Sequence, residues 1–107
     1  MPSQVIFLLL LFVAVALETI ADILFKASYL QNRSVLIVAG VVLYTVGTVI
    51  WALSLRYEFL SKAISIFTVL NLIAVLLAGF VIFNEHLSLL NKVGIGLGII
   101  SVILMQL

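Results

Sequence analysis

The stretch Val35–Leu55, VLIVAGVVLYTVGTVIWALSL, carries no charge and is closed off by Arg33 on one side and Arg56 on the other. A helix rising ~1.5 Å per residue needs about 20 mainly apolar residues to cross the hydrocarbon core of a bilayer, and this run is long enough. Its neighbour Ala63–Phe83, AISIFTVLNLIAVLLAGFVIF, has the same character and lies between Lys62 and the Asn84-Glu85-His86 cluster. Outward from these two, Val5–Phe25 is equally long but contains Glu18 and Asp22. Val93–Leu107 is shorter, and completes a crossing only if Leu89 and Leu90 join it while Lys92 snorkels to the surface. Four spans are therefore expected, over approximately 5–26, 34–55, 62–83 and 88–107. The connections are too short for a folded domain and make neighbours antiparallel, so residues 1–107 read as one four-helix transmembrane domain, all-α and up-down-up-down. Ala14-Val15-Ala16 resembles a leader cleavage site, but Met1-Pro2-Ser3-Gln4 lacks the positive segment a secretory leader needs, which favours a span.

The composition agrees. Of 107 residues 66% are hydrophobic and 8% charged, with a mean hydropathy of +1.50. A soluble domain runs roughly 45–50% apolar and about 25% charged, so a soluble protein is excluded, and disorder with it. A net charge of +1 and a pI near 8.1 leave no basic field to hold nucleic acid. Without cysteine there is no disulfide or thiolate metal site, and the lone His86 cannot build a zinc site. No nucleophile is matched to a histidine base and no glycine-rich phosphate loop precedes a helix, so enzymatic activity is not expected.

Arg56 and Lys62 fall on the side of both termini, and Lys26, Arg33 and Lys92 on the other. This bias is too weak to fix an orientation. It leaves two readings: a partner or the insertion machinery decides, or the chain inserts both ways and pairs with its inverted copy as an antiparallel homodimer.

Function has to come from the polar residues inside the spans. Glu18 lies roughly 20 Å along its helix from Val5 and about 12 Å short of Lys26, deep in the bilayer. An ionised carboxylate at that depth costs several kcal/mol, which favours the protonated acid unless a cation sits beside it. A carboxylate that holds either a proton or a cation, but not both, is the minimum machinery for antiport. The alternative is a hydrogen bond to a neighbouring helix. Asp22 and Lys26 follow at one-turn intervals on the same side, with Ala14 and Ala21 leaving room. Asp22 either joins substrate and proton binding or pairs with Lys26; two acids one turn apart would suit a doubly cationic or amine-rich substrate.

On the second span Gly40, Tyr44, Gly47 and Trp51 form one stripe. Tyr44 is the second candidate, since an aromatic face attracts an organic cation and its hydroxyl can donate to a carboxylate; close packing and an interfacial aromatic belt are the competing reading. The third span bears a polar stripe, Ser61, Ser65, Thr68 and Asn71. Asn71, with Ile64 and Phe67, either lines a pathway or glues helices together, and Lys62 is either an interfacial anchor or a counter-ion, as Lys26 is on the first span. The fourth span holds Gly94 and Gly98 in small-xxx-small spacing with Ser101 beyond, a candidate dimerisation surface. Four short helices enclose little volume, so a pathway implies a dimer.

Taken together, Ala16-Leu17-Glu18, Phe25-Lys26-Ala27-Ser28, Tyr44, Leu55, Tyr57, the Phe83-Asn84-Glu85-His86-Leu87 turn and Gly94 resemble the small multidrug resistance family of the drug/metabolite transporter superfamily. The resemblance runs over nearly the whole chain. It implies proton-coupled export of cationic compounds by an antiparallel dimer in a bacterial or archaeal inner membrane. Glu18 would be the shared proton and substrate carboxylate and Tyr44 its partner, with protons as coupling ion and no other cofactor. Ile64 and Phe67 stand where members usually carry a tyrosine and a tryptophan, and Asp22 with Glu18 is similar to the polyamine-exporting branch, so the resemblance leaves a polyamine or a quaternary-ammonium substrate open. Lys62 and the Asn84–Ser88 turn are also similar to short proteins that flip lipid-linked amino sugars as heterodimers with a related chain. That makes a flippase subunit the second reading, and a non-transporting assembly subunit the third.

Overall fold

The computed structural model describes residues 3–106, so Leu107, the last residue of the expected fourth span, lies outside the described residues, as do Met1 and Pro2. The described chain is all helical: α1 Ser3–Gln31, α2 Val35–Ser54, a 3-10 turn Leu55–Tyr57, α3 Leu60–Ile82 and α4 Leu89–Gln106. Three segments, Ser3–Gln31, Val35–Tyr57 and Leu60–Ile82, are long and apolar enough to cross a membrane, whereas the apolar run of α4, Leu89–Met105, is shorter. Large side chains along them face outward, Val81 at 73% exposure for example, which suits lipid and would be intolerable as continuous surface in water. This is the build of an integral membrane protein. Inside a bilayer the backbone must satisfy its own hydrogen bonds, so long apolar runs fold as helices whatever their β-branched content.

The described residues form two compact units, one up to Glu58 and one from Phe59 onward. In the first, α1 buries Phe7, Leu11, Ala14, Glu18, Ala21 and Ser28, spaced alternately by four and three residues apart from the last step. α2 answers with Gly40, Gly47 and Ser54 at intervals of seven. A β-carbon on Gly40 would lie 3.2 Å from the Ala21 carbonyl oxygen, and one on Gly47 would lie 3.3 Å from that of Ala14, so the two backbones touch and the helices run antiparallel. Alanine against glycine is what allows this approach. The buried hydroxyls at the two ends of the seam are satisfied locally, Ser28 donating to the Phe25 carbonyl at 2.6 Å and Ser54 to that of Trp51 at 2.6 Å.

α1 continues past the expected exit near residue 26 because a charge marks where the chain leaves lipid, while a helix ends only where the backbone turns. It turns at Asn32, with φ 53, and the Arg33 N–H closes back on the Ser28 carbonyl at 3.0 Å, a Schellman cap. Left-handed backbone costs a residue with a branched β-carbon about 1–2 kcal/mol, which asparagine largely escapes. Asn32→Val is therefore expected to lower the thermal midpoint in detergent, while Asn32→Gly leaves it unchanged or higher; equal midpoints for the two would contradict this cap.

In the second unit, Ser65 donates to the Ser61 carbonyl at 2.8 Å and lies 3.0 Å from the Met105 sulfur, tying the start of α3 to the end of α4. α3 ends at a second left-handed asparagine, Asn84 (φ 54), with the N–H groups of Phe83 and Glu85 both on the Gly79 carbonyl, at 3.2 and 2.9 Å. Ser88 caps α4, its hydroxyl oxygen accepting the Asn91 N–H at 3.2 Å.

Candidate functional site

Glu18 is the polar centre of the α1–α2 seam. It is 5% exposed, placed there because the heptad-like stripe Leu11, Ala14, Glu18, Ala21 presents it to α2 at the level of Gly47. Its Cγ lies 3.0 Å from where a β-carbon on Gly47 would be, so the glycine makes the space that the carboxyl stem occupies. One carboxyl oxygen, Oε1, is 3.3 Å from the Thr48 hydroxyl; the other, Oε2, has no hydrogen-bond partner among the described residues.

The Thr48 hydroxyl is also 2.8 Å from the Tyr44 carbonyl. A hydroxyl has one proton to give but two lone pairs to receive. With its proton on the Tyr44 carbonyl, Thr48 can accept from a protonated Glu18; to serve the ionised carboxylate it must turn that proton toward Glu18. The pair thus has two hydrogen-bonding arrangements, one for each state of the acid.

Asp22, one turn further along α1, is half-buried, and Lys26 beyond it is exposed. Tyr44 is 44% exposed, with its ring 6.5 Å from that of Phe25 at a tilt of 39°. The side chain that hydrogen-bonds Glu18 is nevertheless Thr48, which the sequence reading passed over. Its signal was there: Thr48 follows Gly47 and stands one turn beyond Tyr44. Thr48→Val removes a bond worth about 0.5–1.5 kcal/mol, so its unfolding midpoint in detergent should fall below that of the wild type, with Thr48→Ser restoring it. Identical midpoints for the valine and serine variants would remove this bond from the seam.

The other candidates belong to the second unit. Lys62 is half-buried in the first turn of α3, and Phe67 and Asn71, one turn apart, are half-buried on the same helix. The Asn71 amide oxygen is buried without a hydrogen-bond partner among the described residues, as is the Thr19 hydroxyl of α1 in the first unit. On α4, β-carbons added at Gly94 and Gly98 would meet nothing within 4 Å among the described residues of its own unit, and Ser101 is exposed. Searches against family models, characterised proteins and solved structures returned no match to this chain.

Proposed function

We propose that this chain is a proton-coupled exporter of cationic organic compounds of the small multidrug resistance type, acting in a bacterial or archaeal cytoplasmic membrane as a dimer of four-span protomers in antiparallel arrangement. The observation that carries the reading is Glu18: nine-tenths buried in an apolar helix pair, with one carboxyl oxygen unpartnered. Even lenient insertion scales set about 2.5–3.5 kcal/mol against a charge at the bilayer centre, so the group has to hold a proton or a cation. Competition for that one site couples the two, inward proton against outward cation.

Asp22 one turn away favours substrates with more than one positive centre, and the exposed Tyr44 ring offers a face to them. α4, with 18 residues and a rise of ~27 Å, matches a thin bilayer when Lys92 snorkels, and its glycine face is the expected contact with the second protomer.

The test is proton release from detergent-solubilised protein on adding guanidinium, spermidine or a tetraalkylammonium, with Glu18→Gln alongside. Release that disappears in the variant supports the reading and identifies the cation class. Absence of release from folded wild-type protein would overturn it in favour of a lipid-linked substrate or a missing partner chain.

A further inference from the structure

The Thr48 hydroxyl stands between two acceptors that belong to different helices. It is 2.8 Å from the carbonyl of Tyr44, one turn back on α2, and 3.3 Å from Oε1 of Glu18 on α1. The carbonyl is already engaged: in the continuous helix Val35–Ser54 it takes the Thr48 N–H, and its second lone pair takes the hydroxyl. A threonine bonded back to the carbonyl four residues before it loosens that turn and bends the helix slightly. Thr45 makes the same bond to the Val41 carbonyl at 2.8 Å, so the bond by itself does not set Thr48 apart. What Thr48 has in addition is the acid.

The hydroxyl proton serves one acceptor at a time, and the charge on Glu18 decides which. A hydrogen bond to an ionised carboxylate is roughly twice as strong as one between neutral groups, so the anion draws the proton away from the carbonyl. A protonated acid has its own O–H to give and leaves the Thr48 proton where it is; the shorter contact, 2.8 against 3.3 Å, is the one with the carbonyl. We infer that Thr48 is a positioning residue that passes the charge state of Glu18 to the α2 backbone. The Tyr44 carbonyl holds two donors when Glu18 is protonated and one when it is ionised, and the turn 44–48 straightens on ionisation. That turn carries the Tyr44 ring, so the state of the carboxyl reaches the aromatic face without any need for the two side chains to touch. The inference rests on Glu18 exchanging its proton, as proposed above. The titratable groups nearest to Glu18 along the two helices of this unit are Asp22, one turn on along α1 with Lys26 a further turn beyond, and the Tyr44 phenol on α2.

Infrared spectroscopy of the full chain in lipid bilayers tests it. The chain has three tyrosines, so Tyr29→Phe with Tyr57→Phe leaves Tyr44 as the one site for an isotope-labelled tyrosine carbonyl. As the pH is raised through the loss of the Glu18 carboxyl band, assigned by its absence from Glu18→Gln, the labelled amide band should move to higher wavenumber, as a carbonyl does on losing a donor. Thr48→Ser and Thr45→Val should keep the shift. Thr48→Val should lose it while the Glu18 band still titrates, and Glu18→Gln, which retains Asp22 and the phenol, should lose it as well. Circular dichroism verifies that each variant keeps its helicity. A labelled band that stays still while the Glu18 band disappears would overturn the proposal and leave the exchange reading standing. A full shift in Thr48→Val, or one that survives in Glu18→Gln, would overturn it too. A Glu18 band that never changes with pH would instead overturn the exchange reading, and this proposal with it.

Discussion

Proteoliposomes carrying Glu18→Gln are expected to show no cation uptake driven by a pH gradient. The amide keeps the shape of the carboxyl group and can still bond Thr48, at 3.3 Å in the wild type, so the α1–α2 seam should persist. What it cannot do is release a proton or carry a negative charge. Cation affinity should fall as well, because a hydrogen bond to a charged group contributes about 1.5–3 kcal/mol, or one to two powers of ten. Coupling should be lost altogether, since a site that never binds a proton cannot exchange it. In the wild type the proposed competition sets the sign of the pH dependence: raising the pH should strengthen cation binding until the carboxyl is fully ionised, and lowering it should expel the cation. The thermal midpoint of the variant should equal or exceed that of the wild type, as an ionisable group has left an apolar seam. Uptake at the wild-type rate and with wild-type pH dependence in Glu18→Gln would refute the exchange mechanism.

Gly47→Val should be the most damaging substitution in the seam. The new β-carbon would meet Glu18 Cγ at 3.0 Å and the Ala14 carbonyl oxygen and Leu17 Cβ at 3.3 Å, atoms at or next to the α1 backbone. The last two cannot swing aside, so the helices must separate, and Glu18 must leave its place as well. Overpacking of this kind costs typically about 1–3 kcal/mol, and here it also dislodges the carboxyl from Thr48. A lowered unfolding midpoint together with lost transport is the expected result. Gly40 is a milder case on one side, because its nearest neighbours are ring atoms of Phe25 at 2.6 and 2.9 Å, which can turn, although the Ala21 carbonyl at 3.2 Å cannot. Gly94→Val supplies the contrast. Nothing among the described residues of its own unit lies within 4 Å of its β-carbon, so the protomer should fold normally, while gel filtration should report a weakened dimer if α4 is the contact between protomers. Gly47→Val with wild-type stability would contradict the packing of α1 on α2.

Some of this was legible from residues alone and some was not. Helix identity was, because lipid leaves a long apolar run no other way to satisfy its backbone. The exits were read less well: charges at Lys26 and Arg56 mark the membrane surface, yet α1 runs on to Gln31, where backbone geometry and not charge ends it. The position of Glu18 deep in its helix was also fixed by counting, and with it the energetic argument for a proton or a cation. Of the stripe Gly40, Tyr44, Gly47, Trp51 the two glycines are buried, with Ala21 and Ala14 of α1 close to them, whereas Tyr44 is exposed.

A stripe gives a face, not a level along the axis. That level was decided by the tertiary contact of Ala14 with Gly47 and Ala21 with Gly40, which sets Thr48 beside the Glu18 carboxyl and leaves Tyr44 one turn away. The same holds at the other end of the chain, where Gly79 reads as one more small residue until the turn at Asn84 brings Glu85 back across it. The sequence by itself determined which segments are helices and where a costly charge lies within them, because both follow from local length and composition against a fixed solvent. Which hydroxyl reaches that charge only the packed chain decides, because register comes from pairs of residues far apart in sequence whose backbones are allowed to touch.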